Sequence, residues 1–307
     1  MIQQNTPLKA YMQLHFIVLI WGATAILGKL LTISPLGVVL YRTLIATVGI
    51  YLIVYFRRID YRLPRKELMQ IIATGILIAA HWVTFFLAAR LSNISICLAG
   101  IATTSFWTSF IDPIVNKRPI KFYEPLLGVL SVVGIVIVFN SSFDQYLGLS
   151  VAILSAILAS TFTVINGRFI AKHNHYTISM YEMLGAFVTT LVVVVIVSTL
   201  GGERWMDHVV LHDMDWLYLM VLGVVCTVFA YSLGVKLMKQ LTAFSINLTI
   251  NLEPVYGILM AVILFKDDEH MGDEFYIGTG IIIVSVLLYP LVRRWARDRN
   301  MDTDILQ

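Results

Sequence analysis

Ten apolar segments of about twenty residues each run through the chain, separated by short stretches that carry charges or turn-forming residues. An α-helix rises about 1.5 Å per residue, so about twenty apolar residues cross the roughly 30 Å hydrocarbon core of a bilayer. The segments lie at 10–31, 35–56, 68–90, 93–114, 122–140, 147–169, 177–199, 215–238, 242–265 and 275–295. The sequence therefore predicts an all-α integral membrane protein with ten transmembrane helices, called spans 1 to 10 below.

The composition agrees with a membrane location. Charged residues make up 13% of the chain, whereas soluble domains contain roughly 25%. The basic residues form short clusters without interleaved aromatics, so no nucleic-acid partner is expected. Only Lys9 precedes the first segment and no small-residue cleavage site follows it, so span 1 is predicted to be a retained helix rather than a signal peptide.

The two cysteines, Cys97 and Cys226, lie inside apolar segments and give neither a disulfide framework nor the spacing of metal ligands. The acidic residues at 267–270, with Asp273 and Glu274, are interpreted as a solvated loop rather than a cation site. We therefore expect no metal and no cofactor.

The distribution of basic residues orients the helices. If the N-terminus is cytoplasmic, 17 of the 22 Lys and Arg residues lie on the cytoplasmic side. An excess of Lys and Arg marks cytoplasmic loops. The sequence therefore predicts a multi-pass protein with both termini in the cytoplasm.

An internal repeat is the strongest pattern-based indication of function. A shift of 150 residues places spans 3–5 over spans 8–10, and His81 then meets Tyr231. A shift of 140 places Tyr41-Arg42 over Tyr181-Glu182. Five helices per repeat is an odd number, so the second copy enters the membrane from the opposite face. Inverted repeats of this kind build many secondary transporters, whose site lies near the midplane between the halves.

Several stretches resemble the EamA-type transporters of the drug/metabolite transporter superfamily, over residues 15 to about 292. The matching stretches are Trp21-Gly22-Ala23-Thr24, Ser34-Pro35, Tyr41-Arg42, Leu222-Gly223, Phe229-Ala230-Tyr231 and Leu252-Glu253-Pro254-Val255. The resemblance implies an inner-membrane carrier whose substrate cavity is lined by spans 1, 3, 4, 6, 8 and 9. It assigns residues 1–140 to a first EamA-like repeat, 147–296 to a second and 297–307 to a short cytoplasmic tail.

The resemblance leaves the substrate open. Members of the family export amino acids and other small metabolites, and relatives carry nucleotide sugars, triose phosphates or drugs. This chain has Thr104 where the family often has proline in span 4. Asn116-Lys117-Arg118 and Lys266-Asp267-Asp268 replace the Gly-Glu that commonly closes spans 4 and 9.

Span 9 carries the most informative polar residues. Glu253 places a carboxylate near the middle of the span, at a cost of roughly 2.5–3.5 kcal/mol unless a partner or a watery cavity receives it. Pro254 cannot donate a backbone hydrogen bond, so the helix is predicted to break there.

Span 9 is polar on two faces. At 100° per residue, one face carries five residues and the opposite face carries Asn247, Asn251 and Pro254. The first face contains Thr242, Ser245, Thr249, Glu253 and Tyr256. We expect the first face to meet the cavity and the asparagines to bond to a neighbouring helix.

Arg42 is the natural counter-charge for Glu253, because both lie at compatible depths in the bilayer. The alternatives are a fixed structural pair and a pair that an anionic substrate group can separate.

Other candidates for the cavity wall are His81 and Trp82 in span 3 and the hydroxyl residues at 103–105, including Thr103 and Thr104. The aromatic candidates Trp21, Trp107, Tyr231 and Tyr256, together with Thr24 and Asn251, complete the predicted substrate-binding set. A satisfied buried histidine and ordinary helix packing remain the alternatives. Asp112 and Glu182 lie near cytoplasmic helix ends and are expected to be solvated.

The leading hypothesis is a secondary transporter for a small metabolite, most simply an amino acid or similar zwitterion, working by alternating access in the inner membrane. A drug or organic-cation exporter of the same fold, a non-transporting receptor or assembly subunit, and an intramembrane enzyme are the alternatives. The expected partners are a small-molecule substrate and the lipid bilayer, and proton coupling through Glu253 or His81 stays open. The sequence does not distinguish a monomer from a homodimer.

Overall fold

The described residues form thirteen helices, twelve of which account for the ten predicted spans, in a computed structural model of the chain that describes residues 8–92, 94–138, 146–201, 204–212, 214–257, 260 and 273–298. Seven of them are continuous, long and apolar enough to cross a bilayer. They are α1 (Leu8–Leu30), α2 (Pro35–Phe56), α3 (Arg65–Leu91), α7 (Tyr146–Ile170), α8 (His175–Leu200), α10 (Asp215–Leu237) and α13 (Asp273–Asp298). Within the described ranges the chain contains no β-strand.

The other three spans are shorter or divided. Span 5 is α6 (Tyr123–Val138), and span 4 consists of α4 (Ile94–Ile101) and α5 (Thr104–Asn116). Span 9 consists of α11 (Ala243–Ile250) and α12 (253–257), and its outer part lies outside the described residues. A short helix, α9 (Met206–Val209), precedes α10. The prediction of ten membrane-spanning segments is confirmed.

Local sequence signals set several helix starts. Ser34 Oγ accepts a hydrogen bond from the Gly37 backbone N–H, and proline follows as the first residue of α2. Asn174 caps α8 in the same way, and Thr242 caps α11. Such caps satisfy backbone donors that a helix end otherwise leaves unpaired.

Spans 4 and 9 break at equivalent places. Span 4 is interrupted at Ala102–Thr103 and span 9 at Asn251–Leu252, so the two breaks agree to within one residue under the 150-residue shift. The equivalent stretch of span 4, residues 103–105, contains no proline, so the sequence alone predicts no break there, and that prediction is wrong. There, Thr103 Oγ1 donates to Gly100 O at 2.7 Å and the Thr104 hydroxyl donates to Ile101 O. Such bonds compete with the helical backbone pattern, so no proline is needed.

In span 9 the expected break is present but precedes Pro254. Proline then lies in the first turn of α12, where its missing N–H would have no helical partner in any case. Pro254 therefore starts the second half of the span instead of kinking a continuous helix.

Helices related by the repeat pack against each other across the molecule. α2 packs on α8, and α6 packs on α13. Ser131 and Ser285 share a 2.6 Å hydrogen bond between α6 and α13. This pairing of equivalent helices is what a two-fold relation between inverted five-helix repeats produces, and it leaves the two broken spans at the centre.

Candidate functional site

A cavity lies between the two halves, at the level of the two broken spans. Its wall is formed by α1, α3, the break of span 4, α7, α10, α11 and α12, with one residue from α2. These are the six spans that the family resemblance implies, together with span 2. The lining residues are Trp21, Thr24, Arg42, His81, Trp82, Phe85, Ile101, Thr104, Ala159, Phe162, Thr163, Tyr231, Gly234, Val235, Met238, Ile246, Asn247, Ile250 and Glu253.

The cavity is large enough for a small solute. The space open to the centres of water molecules is about 100 Å³, whereas one water requires about 10–15 Å³ on the same scale. Its wall combines several aromatic rings with few polar groups, which is typical of small-molecule sites.

Eight of the predicted site residues line this cavity: Trp21, Thr24, Arg42, His81, Trp82, Thr104, Tyr231 and Glu253. Six others lie outside its wall: Thr103, Ser105, Trp107, Thr249, Asn251 and Tyr256. Trp107 Nε1 donates to Thr103 Oγ1 at 3.1 Å within α5 and its cap, and Thr249 Oγ1 donates to the Ser245 carbonyl at 2.9 Å.

The prediction that one face of span 9 lines the cavity is wrong for every residue of that face except Glu253. Ser245 Oγ lies 2.9 Å from Tyr11 Oη, and Tyr256 Oη lies 2.8 Å from His15 Nδ1, so both contact α1. Of that face, only Glu253 reaches the cavity. The break at Asn251–Leu252 interrupts the helical phase, so the 100° rule cannot be extended from α11 into α12.

The asparagines of span 9 bond to span 4, and that prediction is confirmed. Asn247 Nδ2 donates to Thr108 Oγ1 at 2.7 Å, and Asn251 Nδ2 donates to Ser105 Oγ at 2.8 Å. These bonds tie the two broken spans together beside the cavity, although Asn247 also lines it.

Arg42 is held in a fixed position on the cavity wall. Its side chain is 4% exposed, its Nε donates to Thr227 Oγ1 at 2.9 Å, and its guanidinium carbon lies 3.8 Å from the centre of the Trp82 ring. Stacking over an aromatic face stabilises a cation without neutralising it. Thr227 lies in π-helical turns at Val221–Phe229 and donates to the Leu222 carbonyl five residues before it. Such π-helical insertions often occur at functional sites.

Glu253 lies on the same cavity but is not bonded to Arg42. Glu253 is 6% exposed, and within the described part of the chain no ion pair within 4.0 Å joins it to Arg42. Over the same residues, neither the Glu253 carboxylate nor the two terminal nitrogens of Arg42 have a hydrogen-bond partner. Within the described residues, the cavity therefore presents an anionic group, the Glu253 carboxylate, and two cationic donors, the terminal nitrogens of Arg42, that are not hydrogen-bonded.

The Nδ1 atom of His81 is hydrogen-bonded to Ser155 on α7. Its Nδ1 lies 3.0 Å from the Ser155 carbonyl and 2.8 Å from Ser155 Oγ, and that hydroxyl also donates to the His81 carbonyl. The ring packs 5.5 Å from that of Phe162. His81 therefore combines a position on the cavity wall with a complete set of structural contacts at Nδ1.

Two carboxylates expected to be solvated are buried. Asp112 is 7% exposed and lies 2.6 Å from Arg118, which also binds Glu124 at 2.8 Å. Burial alone would lower the pKa of Arg118, but Glu124 and Asp112 raise it above its usual range. Glu182 is 0% exposed, and it lies about 10 Å along α8 from the first residue of that helix.

The sequence analysis did not identify three buried polar residues that bond to residues of the cavity wall: Glu182, Asn166 and Thr227. Tyr231 Oη donates to Glu182 Oε2 at 2.9 Å, and Asn166 Nδ2 donates to Tyr231 Oη at 3.2 Å. The repeat contained a usable signal, because it places Glu182 over Arg42, which was already interpreted as buried. No pattern in the sequence pointed to Asn166 or Thr227.

An all-helical membrane protein with inverted halves, two broken central spans and a cavity between them that carries a few polar and charged groups has the architecture of a carrier. The chain belongs to the EamA-like transporter family, whose model matches it twice, over residues 8–140 and 146–290. A protein of Archaeoglobus fulgidus described as an uncharacterized transporter is 22% identical over 297 residues, covering 94% of this chain and all of the relative. A solved crystal structure shares the fold with a TM-score of 0.74 at 14% identity, covering 94% of this chain and 99% of that one.

Proposed function

We propose that this transporter moves a small zwitterionic metabolite, most simply an amino acid, across the inner membrane by alternating access. The observation that carries the proposal is the pair of oppositely charged residues on one cavity, Arg42 and Glu253, which no ion pair joins within the described residues. Both termini are placed in the cytoplasm, on the basis of the distribution of Lys and Arg.

A zwitterion complements this wall at three points. The terminal nitrogens of Arg42 suit a carboxylate, which a guanidinium can bind through two parallel hydrogen bonds. Glu253 suits an ammonium group, and the aromatic rings of Trp21, Trp82 and Tyr231 suit an apolar side chain. Because Trp82 and Thr227 already fix Arg42, little conformational freedom is lost when the substrate binds.

Hydrogen bonds join the helices at the end of the molecule that the charge pattern predicts to be extracellular. Thr32 donates to Asp215 from its backbone at 2.9 Å and from its hydroxyl at 2.5 Å, and Ser34 Oγ lies 2.5 Å from His208 Nδ1. These bonds join the α1–α2 turn to α9 and α10. The cavity lining includes Met238 and Ile246, which lie near the ends of spans 8 and 9 that are predicted to be cytoplasmic. This arrangement supports an inward-facing conformation in the proposed cycle.

Transport driven directly by ATP does not fit the chain, because its sequence lacks a phosphate-binding loop of the G-x-x-x-x-G-K-[ST] type. The proposed energy source is a gradient of the substrate or of a coupled ion.

Counterflow in proteoliposomes against a panel of amino acids tests the proposal. Wild-type protein should exchange at least one zwitterionic substrate, and Glu253→Gln and Arg42→Gln should each abolish that exchange while folding is retained. Glu67→Gln is the matched control, since Glu67 bonds to Lys172 and His173 at a helix end away from the cavity. Full exchange by either cavity variant would reject its role in binding.

An organic-cation or drug exporter is the second candidate, because Glu253 and the aromatic wall suit a bulky cation without any need for Arg42. Arg42→Gln separates the two functions, since it should abolish amino-acid exchange and preserve cation export. A receptor would bind solute without flux, and an intramembrane enzyme would return a chemically altered solute, so solute recovery from the vesicles distinguishes both.

A further inference from the structure

Glu182 is a buried carboxylate next to the cavity, and the proposed substrate site does not use it. It belongs to a polar cluster formed by three helices, with Asn166 on α7, Glu182 on α8 and Tyr231 on α10. The Tyr231 hydroxyl donates to Glu182 Oε2 at 2.9 Å and accepts from Asn166 at 3.2 Å. Glu182 and Asn166 are both 0% exposed.

Two acceptor atoms in this cluster lack a donor. Within the described residues, Glu182 Oε1 and Asn166 Oδ1 are buried and have no hydrogen-bond partner. An unprotonated carboxylate oxygen and an amide oxygen only accept, so neither can satisfy the other. A proton on Glu182 Oε1 would make that oxygen a donor and remove the cost of a buried charge.

The helices packed against α8 bring no cation to Glu182. α10 presents Tyr231 and α7 presents Asn166, while α3 approaches the Glu182 backbone at Gly75. Arg42 on α2 is stacked on Trp82, and His81 on α3 is bonded to Ser155. Among the described ion pairs and hydrogen bonds, none joins Glu182 to a Lys, Arg or His.

Tyr231 connects this cluster to the cavity. Its ring lines the cavity wall and lies 6.1 Å edge-on from Trp82, on which Arg42 is stacked. A solute that displaces Tyr231 would therefore change the hydrogen bond that Glu182 receives. The repeat relates Glu182 to Arg42, so equivalent positions in the two halves hold a carboxylate and a guanidinium on either side of one aromatic pair.

We propose that Glu182 is the proton-binding site of this carrier and that Tyr231 couples its occupancy to the substrate cavity. A proton would enter Glu182 Oε1 from water on one side of the membrane and leave to water on the other, with no bond to the substrate made or broken. The inference rests on the proposed transport function and adds the coupling ion to it.

Glu182→Gln in proteoliposomes provides the test. Glutamine keeps the shape of a protonated carboxyl group and offers an N–H donor where the proton would be, so substrate counterflow without a pH gradient should persist. Accumulation driven by an imposed pH gradient should be lost. Glu67→Gln should retain both activities, because it removes a carboxylate at a helix end remote from the cavity.

The outcomes separate the two proposals. Absence of wild-type counterflow would overturn the transport function. Wild-type counterflow together with pH-driven accumulation in Glu182→Gln would overturn the Glu182 assignment alone, as would accumulation that follows a sodium gradient and ignores pH. If Glu182→Gln does not fold, a pH indicator in weakly buffered detergent solution should report proton movement when substrate binds wild type. That signal should be lost in Tyr231→Phe, and its absence in wild type would also overturn the assignment.

Discussion

Asn251 Nδ2 donates to Ser105 Oγ at 2.8 Å, and this bond joins the break of span 9 to the start of α5 in span 4. Both side chains are buried. The contact therefore sets the relative position of the two repeats where the helices are least regular, one turn from residues that line the cavity.

Asn251→Ala should destabilise the protein. Removing the amide leaves the buried Ser105 hydroxyl without its donor, at a cost of about 1–3 kcal/mol. Thermal unfolding in detergent should show a lower midpoint. Because the side chain does not line the cavity, substrate affinity should change less than in Glu253→Gln.

A double-mutant cycle with Ser105→Ala is the control for this prediction. If the bond is the stabilising contact, the double variant should be little less stable than either single variant. Strictly additive losses would show that Asn251 acts through other contacts.

Gly22→Ala should disturb the packing of α1 on α12. A Cβ atom at Gly22 would lie 3.0 Å from Gly257 N and 3.1 Å from Glu253 O, both of which are backbone atoms. Relieving that crowding would cost about 1–3 kcal/mol and would shift the helix that carries Glu253. We expect a lower unfolding midpoint and slower counterflow.

Gly167→Ala on α7 is the matched substitution, because a Cβ atom there meets nothing within 4 Å. Replacing an unobstructed helical glycine should be neutral or stabilise by about 0.5–1 kcal/mol. Equal effects of the two substitutions would argue against a close α1–α12 contact.

The spans were predictable because the bilayer imposes one strong requirement, about twenty apolar residues per crossing, that local sequence alone can reveal. Depth and charge suggested Arg42 and Glu253 as partners, and both line the cavity without an ion pair between them in the described residues. Helical periodicity placed Tyr256 on the cavity wall, and the structure places it against His15 instead.

The misplaced residues have two physical causes. Helical periodicity assumes an unbroken helix, but Thr103 and Thr104 bond back to the backbone and end α4, which sequence alone did not indicate. Burial of Glu182 depends on Tyr231, which is 49 residues away in sequence. Such contacts between residues distant in sequence become visible only when the helices are packed together.

Asp215→Ala should open the end of the molecule that is predicted to be extracellular. Asp215 accepts two hydrogen bonds from Thr32 and one, at 3.1 Å, from the His212 backbone. Without its carboxylate the α1–α2 turn loses its main tie to α10. A cysteine at position 24, on the cavity wall, should then react faster with a membrane-impermeant thiol reagent added from that side.

Asp60→Ala is the control for the labelling experiment, because Asp60 makes a local bond to Arg62 at the other end of the molecule. It should leave the labelling rate of the position-24 cysteine unchanged. Unchanged labelling in Asp215→Ala as well would show that these bonds do not hold the outer end closed.

Arg42→Lys should weaken amino-acid binding although it preserves the positive charge. A lysine ammonium cannot reproduce the planar stacking on Trp82 or the forked pair of donors. The loss of one charge-assisted hydrogen bond, about 1.5–3 kcal/mol, corresponds to roughly a tenfold to hundredfold weaker affinity. Isothermal titration calorimetry in detergent measures this affinity directly. Thr227→Val, which removes the hydrogen bond to Arg42 Nε and the bond to the Leu222 carbonyl, should weaken binding less, because the stacking on Trp82 remains. Wild-type affinity in Arg42→Lys would mean that the substrate recognises only the positive charge and that the geometry set by Trp82 is irrelevant to binding.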